Sequence, residues 1–471
     1  MLETELGISE VIAGTRRLTP AEAMRLYHEA SLPELGRWSS AMAGRIHGGA
    51  GAARTYVVDR NINYSNVCSA HCTFCAFKRD LGDADAYVLS RSQIDQKIEE
   101  LVGIGGTQIL LQGGMHPELP LAWYTDLLHH LKNKFPQIHL HAFSPPEIVE
   151  FVAVLDMPGH PKTAPGQGGT MPRDRWLAKL DAVLRELMKA GLDSLPGGGG
   201  EIFLPHVRRR IGPGKATGQE WLDVMSAAHR LGMNTSATMM FGHIEGVADR
   251  IGHMALIRQR QDMAIENRWP GRYMAFIAWP FQRDNTALGD LPDYDFENGG
   301  EFPGDALADA VLRGEVDGGD KKSCGAFAPR AGKMLRTAGA GEYLRMSAIS
   351  RLFLDNVHSI GSSWVTMGPH IGQLALFYGA SDMGSVMMEE NVVSSAGTTH
   401  CLDEPLICRL IRDAGFVPAQ RDNAYRVLKT HTGSESPDFT VKDWATQRSA
   451  LHKEQAEQKP SVLAQVTVMG K

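Results

Sequence analysis

The chain has 471 residues, with 48 Lys and Arg against 54 Asp and Glu, a formal net charge of -6, and 43% hydrophobic to 22% charged residues. That balance belongs to a globular protein and excludes a disordered or collagen-like chain. It supplies no general basic field for nucleic acid or an anionic membrane, so a small-molecule partner is expected.

No apolar run approaches the roughly 20 residues that span a bilayer, and the amino terminus lacks the charged-then-apolar layout of a signal peptide. A cytoplasmic location is the expectation. Residues 1–54 read as a helical extension, in which Thr19-Pro20-Ala21-Glu22 forms a capping box with proline at the first helical position. From Thr55, β-rich segments alternate with helical patterns: TYVVDRNINYSN, TQILLQGG, IHLHAFS, the brief LDSLPGGGG, TSATMMFGH and RYMAFIAWPFQ. Strands alternating with helices predict a parallel sheet. Ser90 and Gln93 cap the helix after the first strand, and Ile94, Ile98, Leu101 and Val102 form the stripe expected to cover the sheet.

Further helices are expected at 119–134, 176–190, 218–232, 246–262, 341–354 and 403–414, and strands near 360–365 and 379–383. About eight βα units result, the arithmetic of a TIM-type (βα)8 α/β barrel over residues 55–425. Two stretches break the rhythm. Residues 157–174 are rich in Gly and Pro, and residues 289–340 in Gly and acidic residues with little periodicity; both read as surface insertions, loops or partly ordered lids. Residues 426–471 read as a polar, loosely packed tail.

The six cysteines are unevenly spread: Cys68, Cys72 and Cys75 lie within eight residues, while Cys324, Cys401 and Cys408 are scattered and read as structural thiols. A clustered triplet in a reducing compartment points to a metal or cluster rather than to disulfides. VCSAHCTFCAF places it in the loop after the first strand, at the carboxyl face where barrel active sites sit. Three thiolates can hold three irons of a 4Fe-4S cluster and leave the fourth iron open. The other reading is zinc with His71 as fourth ligand, though neighbours His71 and Cys72 struggle to face one tetrahedral ion.

The Cys68-x3-Cys72-x2-Cys75 spacing resembles the signature of the radical S-adenosylmethionine (SAM) superfamily. The resemblance implies that SAM chelates the open iron through its methionine group, and that Phe74 packs near the adenine. It also implies an electron from a donor such as flavodoxin or ferredoxin, which cleaves SAM to a 5'-deoxyadenosyl radical. The segments LLQGGMHPEL, HAFSPPEI, GLDSLPGGGGEI, TSATMMFGHIE, FIAWPFQRDNT, SSWVTMGPHIGQLAL, GSVMMEENVVSSAGT and IRDAGFVPAQRD resemble the dehypoxanthine futalosine cyclase family of the futalosine route to menaquinone, over most of residues 18–425. Aminofutalosine synthase and the radical components of deazaflavin synthase share the cysteine loop and the SPPEI and PGGG-type segments. The WPFQ run at 279–282 and the SSWVT and MEENVVSSAGT segments look most like the cyclase. The implied substrate is dehypoxanthine futalosine, and the implied reaction is hydrogen abstraction at ribose C4' followed by radical addition to the benzoate ring.

Site candidates follow. Gln112, Gly113 and Gly114 end the second strand, where glycines let backbone approach a ligand; the superfamily contacts the methionine amino group here, and a tight turn explains them equally. Gly197 to Gly200 either admit a ribose, with Glu201 accepting from its hydroxyls, or form a plain loop. His243, Glu245 and Asp284, with the Glu389-Glu390 pair, are candidate bases, and His243 reads equally as a structural histidine. Trp279 and Phe281 offer an apolar wall, Phe281 with core packing as its other role, and Gln282 and Asn285 offer polar contacts. Ser144 and Thr366 can bind polar groups, with turn capping the alternative for Ser144 before Pro-Pro. Lys78 stands where the family often has tyrosine, and the insertion after Asn285 departs from the family pattern and would emerge beside the active-site face.

Overall fold

The structure is a computed structural model that describes residues 1–160 and 171–439. Its strands are β1 (Ala53–Val57), β2 (Asp59–Asn63), β3 (Gln108–Gln112), β4 (His139–Ala142), β5 (Thr235–Phe241), β6 (Tyr273–Pro280), β7 (Ser359–Ile360), β8 (Asp382–Ser385), β9 (Val417–Arg421) and β10 (Val427–Thr430). β2, β3 and β4 run parallel, as do β5, β6 and β7, and β1 lies parallel between β8 and β9.

Single bridges close these sheets into one ring. Ser194 pairs with His141 and Leu195 with Thr235, so the brief LDSLPGGGG segment fills the place between β4 and β5. Gly361 joins β7 to β8 through Asp382. β1 and β2 are two halves of one strand, with the Val58 carbonyl between them accepting from Thr107 N–H. Eight strand positions therefore surround the lumen, as the alternation predicts. At the amino end β9 fills the gap beside β1, and β10 folds back on it antiparallel.

Local chemistry forms the helices. Ser90 and Gln93 make the expected capping box, and the helix Arg91–Gly103 buries Ile94, Ile98 and Leu101. Val102 is instead 38% exposed, because it lies about 80° around the helix from Ile94 and falls off the stripe. The Thr19 box opens the helix Pro20–Glu29, and the helix Leu32–His47 buries Leu35, Trp38 and Met42. The predicted strand at 360–365 ends at Ile360, and residues 364–367 form a helical turn.

Two expectations need correction. Residues 289–340 contain the helices Pro303–Leu312 and Lys321–Phe327, which bury Leu307, Ala310, Val316, Cys324, Ala328 and Ala331 in a small core of their own. Helices this short show no sustained period and take their stability from tertiary packing. The insertion is tied to the barrel: Arg210 donates to Ala331 O (2.7 Å), and Arg209 to Gly318 O (3.1 Å). The start of the expected tail is also ordered. Residues 427–430 form β10, Tyr56 O–H lies 2.7 Å from His431 Nε2, and Arg412 pairs with Asp438 at 2.6 Å. Of the other insertion, residues 161–170 lie outside the described residues, as does the tail beyond 439. Among the described residues no helix is long and apolar enough to cross a membrane.

The small core of residues 303–331 is a test of this folding. Leu307→Ala should cost about 2–4 kcal/mol of local stability. Limited proteolysis should then cut within 289–340 before the barrel, and cleavage unchanged from wild type would mean that the segment has no core.

Candidate active site

A cavity of about 480 Å³ opens at the carboxyl ends of the strands and continues down the lumen, a volume in the range of small-molecule sites. Cys68, Cys72 and Cys75 all face it from the loop after β2. The loop is held by its backbone on several sides. Cys68 N–H donates to Arg79 O (3.1 Å), Ser69 N–H to Met115 O (2.9 Å), Thr73 N–H to Ile211 O (2.8 Å), and Leu288 N–H to Thr73 O (2.7 Å). Met115 N–H donates to Cys68 Sγ at 3.3 Å.

Burial pushes the Cys68 and Cys72 thiols up, Cys72 to about 12 against the pull of Lys215. Thiols desolvated in this way ionise readily only when they bind a metal centre. A single zinc ion is not what they suit. Among the described residues no group of three or more His, Cys, Asp and Glu converges on a point that could hold one metal ion. His71 is exposed, with its Nδ1 3.4 Å from Lys78 Nζ. Three sulfur donors around one cavity fit a cluster.

β3 ends against this loop. A Cβ on Gly114 would lie 2.0 Å from Val67 O and 2.7 Å from Cys68 Cβ, and one on Gly113 would lie 2.4 Å from the Tyr64 ring. Neither has a positive φ. Close approach of the chain to itself, rather than a special turn, requires these glycines. Gln112, Gly113 and Gly114 all line the cavity.

Glu147, which the sequence does not mark as a site residue, sits beneath the β3 end. Its Oε1 accepts from Tyr64 O–H (2.8 Å) and Gly113 N–H (3.0 Å), and its Oε2 from Ser144 N–H and Oγ–H (both 2.7 Å). Burial pushes its carboxyl up to about 7 against the pull of those donors. The capping role expected of Ser144 is thus present, and the only trace in sequence is the Ser144-Pro-Pro-Glu147 spacing.

Phe74 and Glu201 both line the cavity and both meet Lys215, whose Nζ is 5.0 Å from the Phe74 ring centre and 2.9 Å from Glu201 Oε1. Arg208 lies 3.4 Å from Glu201 Oε2 and donates to the carbonyls of Gly199 and Gly200 at 2.9 Å. The run of glycines is therefore a fixed wall. Lys215, at the end of Gly212-Pro-Gly-Lys215, carries no local signal that would have found it.

His243, Glu245 and Asp284 do not reach the cavity. Both ring nitrogens of His243 are engaged inside the protein, Nδ1 near Glu245 Oε2 (3.0 Å) and Ile244 N (2.8 Å), Nε2 near Met240 O (3.3 Å). Glu245 accepts from Gly242 N–H and Arg250 Nε, both at 2.7 Å. Against the raising effect of burial, His243 and Arg250 hold the Glu245 carboxyl far below the usual carboxylate range. Both residues are fully buried. An acid or base must come within about 3 Å of the proton it moves, and in this structure both side chains are taken up inside the core, away from the cavity. Asp284 is exposed outside the cavity and packs against the turn at Gly397.

From the WPFQRDN run only Trp279 lines the cavity; Phe281 is buried against His243, Gln282 Nε2 donates to Pro280 O (3.0 Å), and Asn285 Nδ2 to Ser395 O (3.0 Å). Glu390 lines the wall and accepts from three backbone N–H groups, whereas Glu389 is spent on Arg60 and Lys97. Ser144 and Thr366 are at the wall. At the floor Arg421 clasps Asp382 at 2.6 and 2.9 Å, and Gln108 bridges Asp59 (2.8 Å) to Asn423 (3.2 Å).

Comparison with known proteins agrees with this arrangement. The radical SAM superfamily model matches residues 62–257, and the model of the CofH/MqnC C-terminal region matches residues 323–433. The cyclic dehypoxanthine futalosine synthase of Halalkalibacterium halodurans is 36% identical over 439 residues, 93% of this chain and 99% of that protein. The 5-amino-6-(D-ribitylamino)uracil--L-tyrosine 4-hydroxyphenyl transferase of Methanopyrus kandleri is 33% identical over 88% of this chain and 91% of its own. Methylornithine synthase (PylB) superposes with a TM-score of 0.56 at 16% identity, covering 88% of this chain and 97% of that one, which shows a common fold.

Two outcomes follow from the β3 end. Gly114→Ala must displace the Val67-Cys68 backbone, so the purified variant should reconstitute with less iron than wild type; equal iron would show that the loop has room to move. The Glu147 carboxyl, raised from its ordinary 4.5 to about 7, binds a proton more tightly in the folded than in the unfolded chain. Its contribution is complete below pH 4.5 and lost as the pH rises through 7, by roughly 3 kcal/mol. Urea denaturation should show the wild type losing this much relative to Glu147→Gln between those pH values, and a constant difference would mean the carboxylate stays ionised.

Proposed function

The chain belongs to the radical SAM superfamily, and from that membership we propose that it cyclises dehypoxanthine futalosine to cyclic dehypoxanthinyl futalosine on the futalosine route to menaquinone. One observation carries the reading: the three cysteine thiols open onto the same cavity as the polar barrel lumen. A cofactor held at the loop and a substrate in the lumen then share one sheltered space. The relative covered over 99% of its length supports this member of the superfamily over the transferase.

In this reading Cys68, Cys72 and Cys75 hold three irons of a 4Fe-4S cluster, and the fourth is left for SAM. Phe74 and Lys215 flank the adenine, Gln112, Gly113 and Gly114 face the methionine group, and Glu201 accepts from the SAM ribose. When bound, cluster and SAM supply a 5'-deoxyadenosyl radical, with the electron drawn from a small acidic donor such as flavodoxin or ferredoxin. The protein's part is to hold ribose C4' toward that radical, to bring the benzoate ring within bonding reach of C4', and to keep water from the radical.

Addition to the ring leaves a proton and an electron to be lost, and the electron would return to the cluster, left oxidised by the cleavage of SAM. Among the described residues, the cavity-lining carboxylates without a cationic partner within ion-pair distance are Asp59, Glu147 and Glu390. Glu147 is saturated by four donors, which narrows the carboxylate candidates for the proton acceptor to Asp59 and Glu390. Burial raises the Asp59 carboxyl, as suits a base.

Anaerobic reconstitution with iron, sulfide and reductant, followed by SAM and dehypoxanthine futalosine, should yield 5'-deoxyadenosine and a cyclised product lighter by the abstracted hydrogen and the lost proton. Cys72→Ala should lose cluster absorbance and both products together. Absence of both products from the wild type would sink the cyclase reading, and a product from tyrosine and the ribitylaminouracil would favour the transferase.

A further inference from the structure

Barrels of this type usually fill their lumen with layers of Val, Ile and Leu. Here the inward positions of β2 are Asp59, Asn61 and Asn63, and those of β3 are Gln108, Leu110 and Gln112. Most of these polar groups are satisfied within the protein. Gln108 donates to Asp59, and Asn63 donates to Gln112 O (3.4 Å) and accepts from Asn391 (3.2 Å). Gln112 presents its amide at the level of the cysteine loop.

Asn61 differs. It is 5% exposed, it lines the cavity, and its Oδ1 is buried with no hydrogen-bond partner among the described residues. In the β2–β3 register Asn61 faces Leu110, one layer below the pairing of Asn63 with Gln112. At two residues along a strand, that layer is about 7 Å deeper than the cofactor level.

A buried amide oxygen without a donor is costly, and a ligand that supplies one is favoured for the same reason. The chemistry of the ligand group follows from the amide. Its oxygen needs a donor, which excludes a carboxylate or a bare aromatic ring, while its NH2 needs an acceptor. A hydroxyl meets both. We propose that Asn61 binds a ribose hydroxyl of the substrate and so positions C4' below the cofactor. The inference rests on the cyclase reading and assigns the ribose, not the benzoate, to the deep layer of the lumen. A hydroxyl could also come from the ribose of SAM, and the depth of Asn61 favours the substrate.

The test compares reconstituted wild type, Asn61→Leu and Asn61→Asp for equilibrium binding of SAM, of dehypoxanthine futalosine, and of analogues each lacking one ribose hydroxyl. Asn61→Leu should bind the substrate about ten- to a hundredfold more weakly and SAM with unchanged affinity. Removing the partner hydroxyl should weaken binding to the wild type by a similar factor and to Asn61→Leu no further. Asn61→Asp keeps an acceptor and should stay sensitive to loss of that hydroxyl. Asn61→Leu should also melt no lower than wild type, because an apolar group of the same shape replaces an unpartnered amide.

Equal losses in wild type and Asn61→Leu for every analogue, wild-type insensitivity to all of them, or a loss in SAM affinity would overturn the proposal. If Asn61→Leu does not fold, the wild-type and Asn61→Asp analogue series decides. Failure of the wild type to bind dehypoxanthine futalosine at all would overturn the cyclase reading instead. The same comparison would then use 5-amino-6-(D-ribitylamino)uracil and its deoxy analogues, and no binding there either would end the hydroxyl assignment.

Discussion

The site depends on how closely the end of β3 lies against the cysteine loop. Gly114 leaves no room for even a methyl group between itself and Val67 O, and Gly113 leaves none beside Tyr64. Glu147 joins the same three pieces, taking donors from Tyr64, Gly113 and Ser144. The loop, the β3 end and the helix after β4 thus move as one unit. A cofactor that must present a reactive carbon to a substrate within a fraction of an ångström needs such a mount.

The lumen below is built on a different balance. Filling a barrel with aliphatic layers would stabilise it, yet Asp59, Asn61, Asn63, Gln108 and Gln112 occupy positions where such layers belong. Part of the cost is offset by pairing Gln108 with Asp59 and with Asn423 from the β9 end, where Arg421 in turn clasps Asp382. The carboxyl-terminal segment therefore belongs to the site, although it lies more than 300 residues along the chain from β2.

Outside the cavity a second polar network ties the barrel to its additions. Glu245 pairs with Arg250, Arg250 with Glu342, and Tyr27 O–H donates to Glu342 at 2.6 Å, so the turn and helix after β5, the helix at 340–353 and the amino-terminal helices share one chain of charge. Arg336 of the insertion joins this network by donating to Glu245 O (3.2 Å) while pairing with Asp305 (3.0 Å). Removing one member would leave a buried charge unpaired, so this network holds parts in place. The insertion is pinned beside the cysteine loop by its backbone carbonyls, which accept from Arg209 and Arg210 on the helix that also receives Thr73 N–H.

The amino-acid sequence by itself determined what short-range chemistry dictates: the capping boxes at Thr19 and Ser90, the alternation of strands and helices, and a cysteine triplet in the loop after the first strand. Each depends on residues within a few positions of one another, so their spacing is legible directly. Only the tertiary structure decided which polar residues face the cavity. His243 and Glu245 follow a strand as catalytic groups do, but Arg250 and the turn around them take up both in the core. Lys215 and Asn61 carry no local mark, and Glu147 only its capping spacing, because their roles are set by the pleat of a strand or by partners far along the chain. Inward and outward differ by one residue in a strand, and a hydrogen-bond partner can lie hundreds of residues away. Pattern therefore locates the loop that holds the cofactor, while closure of the ring selects the groups that meet the substrate.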